Sequence, residues 1–483
     1  MANPLNERRA GLLLHPTSIP DSQSGGCLGH KSLRFIDFLR QCGFSVWQTL
    51  PLGPIHDDGS PYQCMSVHAG NAKLICTDDL VARGWLEWEQ RLSDTALEQA
   101  RTGFEHGAND VDRAAFADFR QQHAPWLDDY ALFRAIREEQ GEATWPEWPE
   151  PLRDRDDAAL QAFRETHADE YEQVCFEQFV FFSQWAALRD YAHQNGIVLF
   201  GDIPIFVAHD SVDIWSHRDL FSLDATGRPE VVAGVPPDYF SATGQRWGNP
   251  LYRWDRIMAD DFRWWLERLR SQLELFDILR LDHFRGFEKY WEIPASADTA
   301  MHGRWVEAPG GDLFARLQET YGQLPLVAED LGTITREVEV LRDRFDLPGM
   351  KILQFAFGGG PDNPYLPHNH IPGSVVYTGT HDNDTTLGWY QRCGDAERHA
   401  VNDYLGNPSE DMPWPLIRAA LASVARLAVL PMQDILELGS EHRMNMPGTT
   451  GNNWTWQFSW EQVPADLAGR MRQLIQLYGR VRY

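Results

Sequence analysis

Eight short apolar runs constrain this chain more than any other feature. They are Gly11–Leu14, Ser45–Leu50, Ile197–Phe200, Phe276–Leu281, Leu326–Ala328, Lys351–Ala356, Ser374–Thr378 and Ala428–Met432, mostly with amphipathic stretches between them. Runs of this length are strand-like, and strands alternating with helices make parallel sheets, because a parallel neighbour needs a long crossover. Eight such units predict an α/β fold, a (β/α)8 TIM barrel, with a doubly wound sheet as the competing architecture. The last stretch places Leu467, Met471, Leu474, Ile475 and Tyr478 at helical spacing.

The spacing of the runs is uneven. Residues 51–196, between the second and third runs, far exceed one crossover. Their helical patterning and the Trp-Pro loop Thr144–Pro149 suggest a mainly helical inserted subdomain over 55–175. Residues 208–254, after the third run, are rich in glycine, proline and aromatics. They read as a substrate-binding loop insertion. No composition shift marks a linker, so residues 1–483 are expected to form a single barrel with its insertions packed on it.

Polar residues gather where the runs end. The third ends in Gly201-Asp202-Ile203-Pro204, the fourth in Arg280-Leu281-Asp282-His283 and the fifth in Ala328-Glu329-Asp330-Leu331-Gly332. The seventh ends in Thr378-Gly379-Thr380-His381-Asp382-Asn383-Asp384. In a barrel these ends converge on one face, where active sites lie. Paired carboxylates there suit glycoside chemistry: one attacks or stabilises the anomeric carbon and a protonated one supplies the leaving oxygen's proton. A retaining pair stands roughly 5–5.5 Å apart, and adjacent strands about 4.8 Å apart meet that need. Arg280 shares a face with Asp282 by strand alternation and is placed to pair with it and orient it.

Each member also has a structural reading. Asp282 with Arg280 could be an ion pair, Glu329-Asp330 and Asp202 strand-end caps, and His381–Asp384 a polar turn or metal site. The joint pattern is more specific than any one of them. Aromatics add to a sugar reading, because the apolar face of a pyranose stacks on a ring while its hydroxyls take hydrogen bonds. The candidates are Tyr239 and Phe240 in Gly234–Ser241, Tyr62 in Ser60–Gln63 and, more weakly, Trp254 and Trp456. Most of the 19 tryptophans are expected to be packing residues.

The formal net charge of −27 disfavours nucleic acid and anionic membrane as partners. Lys31, Lys73, Lys289 and Lys351 are the only lysines, a balance compatible with a saline cytoplasm or with simple compositional drift. Six cysteines without a C-x-x-C pair suit free thiols in a reducing compartment. The apolar run after Arg8-Arg9 is too short for a signal peptide and no membrane span is expected, so a cytoplasmic protein is the expectation.

Taken together, Ser60–Gln63, Gly234–Trp254, Arg280–Gly286, Ala328–Gly332, Gly349–Lys351, Tyr377–Thr386 and Met446–Trp454 resemble the 4-alpha-glucanotransferases (amylomaltases, or disproportionating enzymes) of glycoside hydrolase family 77. The resemblance runs over nearly the whole chain. It implies retaining transfer of α-1,4-glucan segments on a barrel, without cofactor or metal, with maltooligosaccharides and α-1,4-glucans as partners. It implies Asp282 as nucleophile, Glu329 as acid/base and Asp382 as the carboxylate that grips sugar hydroxyls. Arg280 would orient the nucleophile, His283 and His381 would bind the glucose beside the scissile bond, and Asp202 would support the site. Tyr239 and Phe240 would line the acceptor side, Tyr62 would stack in a glucan-binding groove, and Met446–Thr450 would form a mobile loop over the cleft. Cys64–Ala72, Ala242 and Gly451-Asn452-Asn453 depart from the family pattern.

The rival readings are an α-amylase-like hydrolase with the same carboxylates and a non-catalytic glucan-binding scaffold. A metal-dependent amidohydrolase barrel is a more distant one, since the first run ends in Leu14-His15-Pro16 without a His-x-His pair. The residues leave the oligomeric state open.

Overall fold

The structure, a computed structural model, describes residues 3–20, 27–237, 241–449 and 451–482. Its strands are β1 (Arg9–Leu13), β2 (Val46–Gln48), β3 (Val198–Ile203), β4 (Val231–Val235), β5 (Gln245–Pro250), β6 (Ile278–Leu281), β7 (Lys289–Pro294), β8 (Arg304–Glu307), β9 (Leu326–Ala328), β10 (Gly349–Ile352), β11 (Ser374–Tyr377) and β12 (Leu427–Pro431). Eight of them close a barrel in the order β1-β12-β11-β10-β9-β6-β3-β2, every pair parallel. The TIM-barrel expectation holds and the doubly wound alternative does not.

Most strand boundaries differ from the apolar runs by a residue or more, and two of the differences have a clear local reason. β3 continues past Phe200 through Gly201 and Asp202, because Asp202 meets Arg280 across the β3–β6 register and its charge is paired inside the barrel. The sixth run begins two residues earlier and ends earlier than Lys351–Ala356. Gly349 has no side chain to register as apolar, and a Cβ there would lie 2.3 Å from Asp330 Oδ2. The run's second half turns into a 3-10 turn, Leu353–Phe355, and its Gln354 Nε2 donates to the Asp384 carbonyl at 2.8 Å.

Between β2 and β3 lie the helices Thr77–Ala82, Ala96–Gly107, Asp110–Glu139, Asp157–Thr166 and Ala168–Gln194. The last runs unbroken across residue 175 and back to the barrel. It buries Tyr171, Cys175 and Phe179, and then Phe181, Trp185, Leu188 and Ala192, at three- and four-residue intervals. Two glutamines on it are buried because they serve backbone. Gln178 both accepts from Gly70 N and donates to Gly70 O, at 2.8 and 2.9 Å, and Gln184 does the same to Cys76 at 2.8 and 2.9 Å. These bonds fasten the segment that carries Tyr62.

The stretch 208–254 holds β4 and β5. They form half of an antiparallel sheet ordered β5-β4-β7-β8, whose other half follows β6. Two barrel loops thus share one sheet, a long-range pairing with no local signal. Among the described residues no helix is long and apolar enough to cross a membrane.

Candidate active site

The C-terminal ends of β3, β6 and β9 form the floor of the site. Asp202 and Arg280 are register partners, so their side chains meet inside the barrel. Arg280 Nη1 donates to both Asp202 oxygens at 2.9 and 2.8 Å, while Nη2 lies 2.8 Å from Asp282 Oδ1. The Asp202 side chain is fully buried and that of Asp282 is 29% exposed, so of the two carboxylates Asp282 opens to the cleft. Burial pulls the Arg280 guanidinium down, but the neighbouring carboxylates outweigh it and hold it protonated.

Glu329 follows β9 directly. Its Oε2 accepts from the His283 N–H at 2.7 Å and its Oε1 from the Leu331 N–H at 2.8 Å. His283 takes a left-handed backbone, φ 50°, at the turn between Asp282 and Phe284. Glu329 is therefore held by the peptide that follows Asp282, which brings the two carboxylates to one place from adjacent strands. Burial, aided by the Asp282 charge, pushes the Glu329 carboxyl up to about 7, against the opposing pull of Arg280 and the two N–H donors. A carboxyl that keeps a proton near neutrality beside an open carboxylate is the pairing that acid and nucleophile roles require.

The segment after β11 supplies the third side. The Tyr62 hydroxyl donates to Asp202 Oδ2 at 2.8 Å and lies 2.8 Å from His381 Nε2, and its ring stacks on His381 with centroids 5.3 Å apart. With the hydroxyl proton given to Asp202, the imidazole donates to the hydroxyl oxygen. Asp382 is exposed, and its Oδ1 accepts from Asn445 Nδ2 at 2.6 Å. Asp384 points elsewhere, to Ser440 and Arg392. Among the described residues no group of three or more His, Cys, Asp or Glu is arranged to hold a metal.

Asp202, Arg280, Asp282, His283, Glu329, His381 and Asp382 thus come together, and Tyr62 stands among them, bonded to Asp202. Tyr239 and Phe240 lie outside the described residues, as does Thr450 of the cleft loop. Trp254 and Trp456 are core residues, buried at 7% and 9% exposure. Two other tryptophans face the site instead. Trp247 on β5 meets the His283 ring edge-on at 4.8 Å, and Trp454 lies 5.9 Å from Tyr62 and 6.0 Å from His381. Asn445 was the other omission; the only signal was its place one residue before the Met446 loop. His283 is kept neutral, its imidazole pushed down to about 4 by burial. Its Nε2 has no hydrogen-bond partner among the described residues, as befits a donor or acceptor meant for a ligand.

A family model described as 4-alpha-glucanotransferase matches residues 14–462. The chain is 49% identical to a 4-alpha-glucanotransferase of Thermus thermophilus, over 98% of this chain and 99% of that one. It is 45% identical to a 4-alpha-glucanotransferase of Synechocystis, over 99% of each. The solved amylomaltase of Streptococcus agalactiae, in complex with acarbose, superposes with a TM-score of 0.96 at 34% identity and covers 99% of this chain and 100% of that one.

Proposed function

The chain belongs to glycoside hydrolase family 77, the 4-alpha-glucanotransferases, and from that premise we propose how its own residues carry out the transfer. The donors are maltooligosaccharides and longer α-1,4-glucans. Asp282 attacks the anomeric carbon at the scissile bond while Glu329 gives its proton to the departing 4-oxygen. The attack inverts the α-linked donor into a β-glycosyl ester on Asp282. Glu329, now ionised, takes the proton from the 4-hydroxyl of an acceptor sugar. That oxygen displaces Asp282, and the α-1,4 bond returns. One such bond replaces another, so the exchange runs near equilibrium, and no step requires a metal or organic cofactor.

The remaining residues hold the sugar and the carboxylates. Arg280 aims Asp282 and ties it to the buried Asp202. Asp382, with Asn445, grips hydroxyls of the glucose being transferred, and His283 and His381 hydrogen-bond the same ring. Trp247 lines the acceptor side beside His283, and the segment Met446–Thr449 stands over the cleft. The helical stretch over 55–175 acts as a wall that carries Tyr62 to the site. A cytoplasmic location accords with a substrate of stored or imported glucan.

The observation that carries this reading is Glu329. It stays protonated near neutrality yet is bonded to the peptide next to Asp282. Incubation with maltotriose tests it. Glucose and longer oligosaccharides should accumulate at a constant number of reducing ends; rising reducing ends would mean a hydrolase. Asp282→Asn should abolish turnover in a folded protein, and unchanged activity would sink the nucleophile assignment.

A further inference from the structure

Arg285 lies three residues past Asp282 and is 8% exposed. Its guanidinium sits over the Trp305 ring at 4.0 Å and donates through Nη1 to the Thr333 carbonyl. Its Nε has no hydrogen-bond partner among the described residues, and it forms no ion pair there. The cation is held directly by a ring and one carbonyl, while the charges of Glu288 and Glu337 attract it from farther off without a direct ion pair.

Both partners matter by position. Thr333 belongs to the turn after Glu329, the turn in which the Leu331 N–H holds Glu329 Oε1. Trp305 is on β8, opposite Trp291 on β7, and the two rings meet edge-on at 5.2 Å. Trp291 in turn pairs in register with Gly234 on β4, next to the β5 strand whose Trp247 reaches His283. The antiparallel sheet and the Glu329 turn therefore meet at one guanidinium.

We propose that Arg285 is a positioning residue: clamped between Trp305 and the Thr333 carbonyl, it fixes the Glu329 turn to the sheet on the acceptor side, so that acid/base alignment depends on that sheet. This rests on the reading of Glu329 as acid/base. A loosened turn withdraws the Leu331 N–H from Glu329. The N–H favours the ionised carboxyl, so its loss moves the alkaline limb of kcat/KM to higher pH. Poorer alignment on the acceptor hydroxyl also lets water compete, so transfer falls relative to hydrolysis.

The test compares Arg285→Lys, Trp305→Ala and Trp305→Phe. Lysine keeps the charge but neither the planar stack nor the same reach, alanine removes the ring, and phenylalanine keeps a ring. The expected result is an upward shift of the alkaline limb and a higher fraction of hydrolysis in the first two, with Trp305→Phe close to the parent. A limb and a transfer ratio unmoved in a folded Trp305→Ala overturn the proposal, even if Arg285→Lys fails to fold; lowered stability alone would not support it. Glu329→Ala on α-maltotriosyl fluoride separates the two ideas, because fluoride leaves without a proton. If that donor restores glycosyl-enzyme formation in Glu329→Ala and Trp305→Ala is still unmoved, only the clamp fails. If it restores nothing, the acid/base reading itself fails.

Discussion

Arg280 holds Asp202 and Asp282 with one guanidinium: Nη1 spans both oxygens of the buried aspartate at 2.9 and 2.8 Å, and Nη2 reaches the open one at 2.8 Å. The charge that orients the proposed nucleophile is thus itself anchored from below. Lysine cannot make this fork. Arg280→Lys should lower kcat by at least about 100-fold. It should also cost about 3–5 kcal/mol of stability, because Asp202 is left buried with a poorer partner. Steady-state kinetics and urea denaturation on the same preparation check both; normal kcat in the variant would remove Arg280 from the mechanism.

Tyr62 links the two halves of the site through its hydroxyl, between Asp202 and His381. Phenylalanine keeps the stack on His381 and deletes only that link. A hydrogen bond to a charged group contributes about 1.5–3 kcal/mol. Tyr62→Phe should therefore lower kcat/KM for maltotriose by about 10- to 100-fold. A loss confined to KM would instead mark Tyr62 as a residue that binds sugar without organising the carboxylates.

Glu329 titrates at about 7 in the folded protein, so kcat/KM for the donor should fall on the alkaline side with a midpoint there. The ordinary value is 4.5. Between those two values the folded protein keeps a proton that the unfolded chain has lost, so stability falls as pH rises through this window. Glu329→Gln removes the titration. Its stability relative to the parent should improve by about 1–3 kcal/mol between pH 4 and pH 8, the upper limit reduced because the site is partly open to water. Thermal unfolding across that range measures the difference, and a constant gap would contradict it.

Arg480 is fully buried and gives its N–H groups to the carbonyls of Arg9, Leu421, Ser423, Ala425 and Arg426. Those carbonyls flank the seam where β1 meets β12, the first and last strands of the barrel. Arg480→Met takes a donor from each, although Arg8 still serves Leu421, Ser423 and Ala425 and the Arg9 N–H still serves Arg426. It should destabilise the fold by about 1–3 kcal/mol while KM for maltotriose stays unchanged, as the seam lies at the end of the barrel away from the carboxylates. Urea denaturation with parallel kinetics decides it.

The barrel was legible because each strand buries side chains on both faces and so writes a continuous apolar run. Where a strand instead carried a paired ion, as at Asp202, or no side chain, as at Gly349, the run misjudged its end. The carboxylates were legible for the same reason: charge at the end of an apolar strand needs an explanation. The tryptophans were not. Trp254 and Trp456 went to the core while Trp247 and Trp454 went to the site, and all four sit in similar aromatic, glycine-containing surroundings in the chain.

The sequence by itself determined the eight barrel strands and which residue types stand at the mouth of the barrel, since burial and turn chemistry are local pressures. Only the tertiary structure decided what those residues do to one another. Asp202 could be joined to Arg280 and Tyr62, Glu329 to the peptide after Asp282, and Asn445 to Asp382 only after the barrel had closed. These partners are far apart in the chain, and hydrogen-bond geometry and desolvation depend on distances that no local pattern encodes.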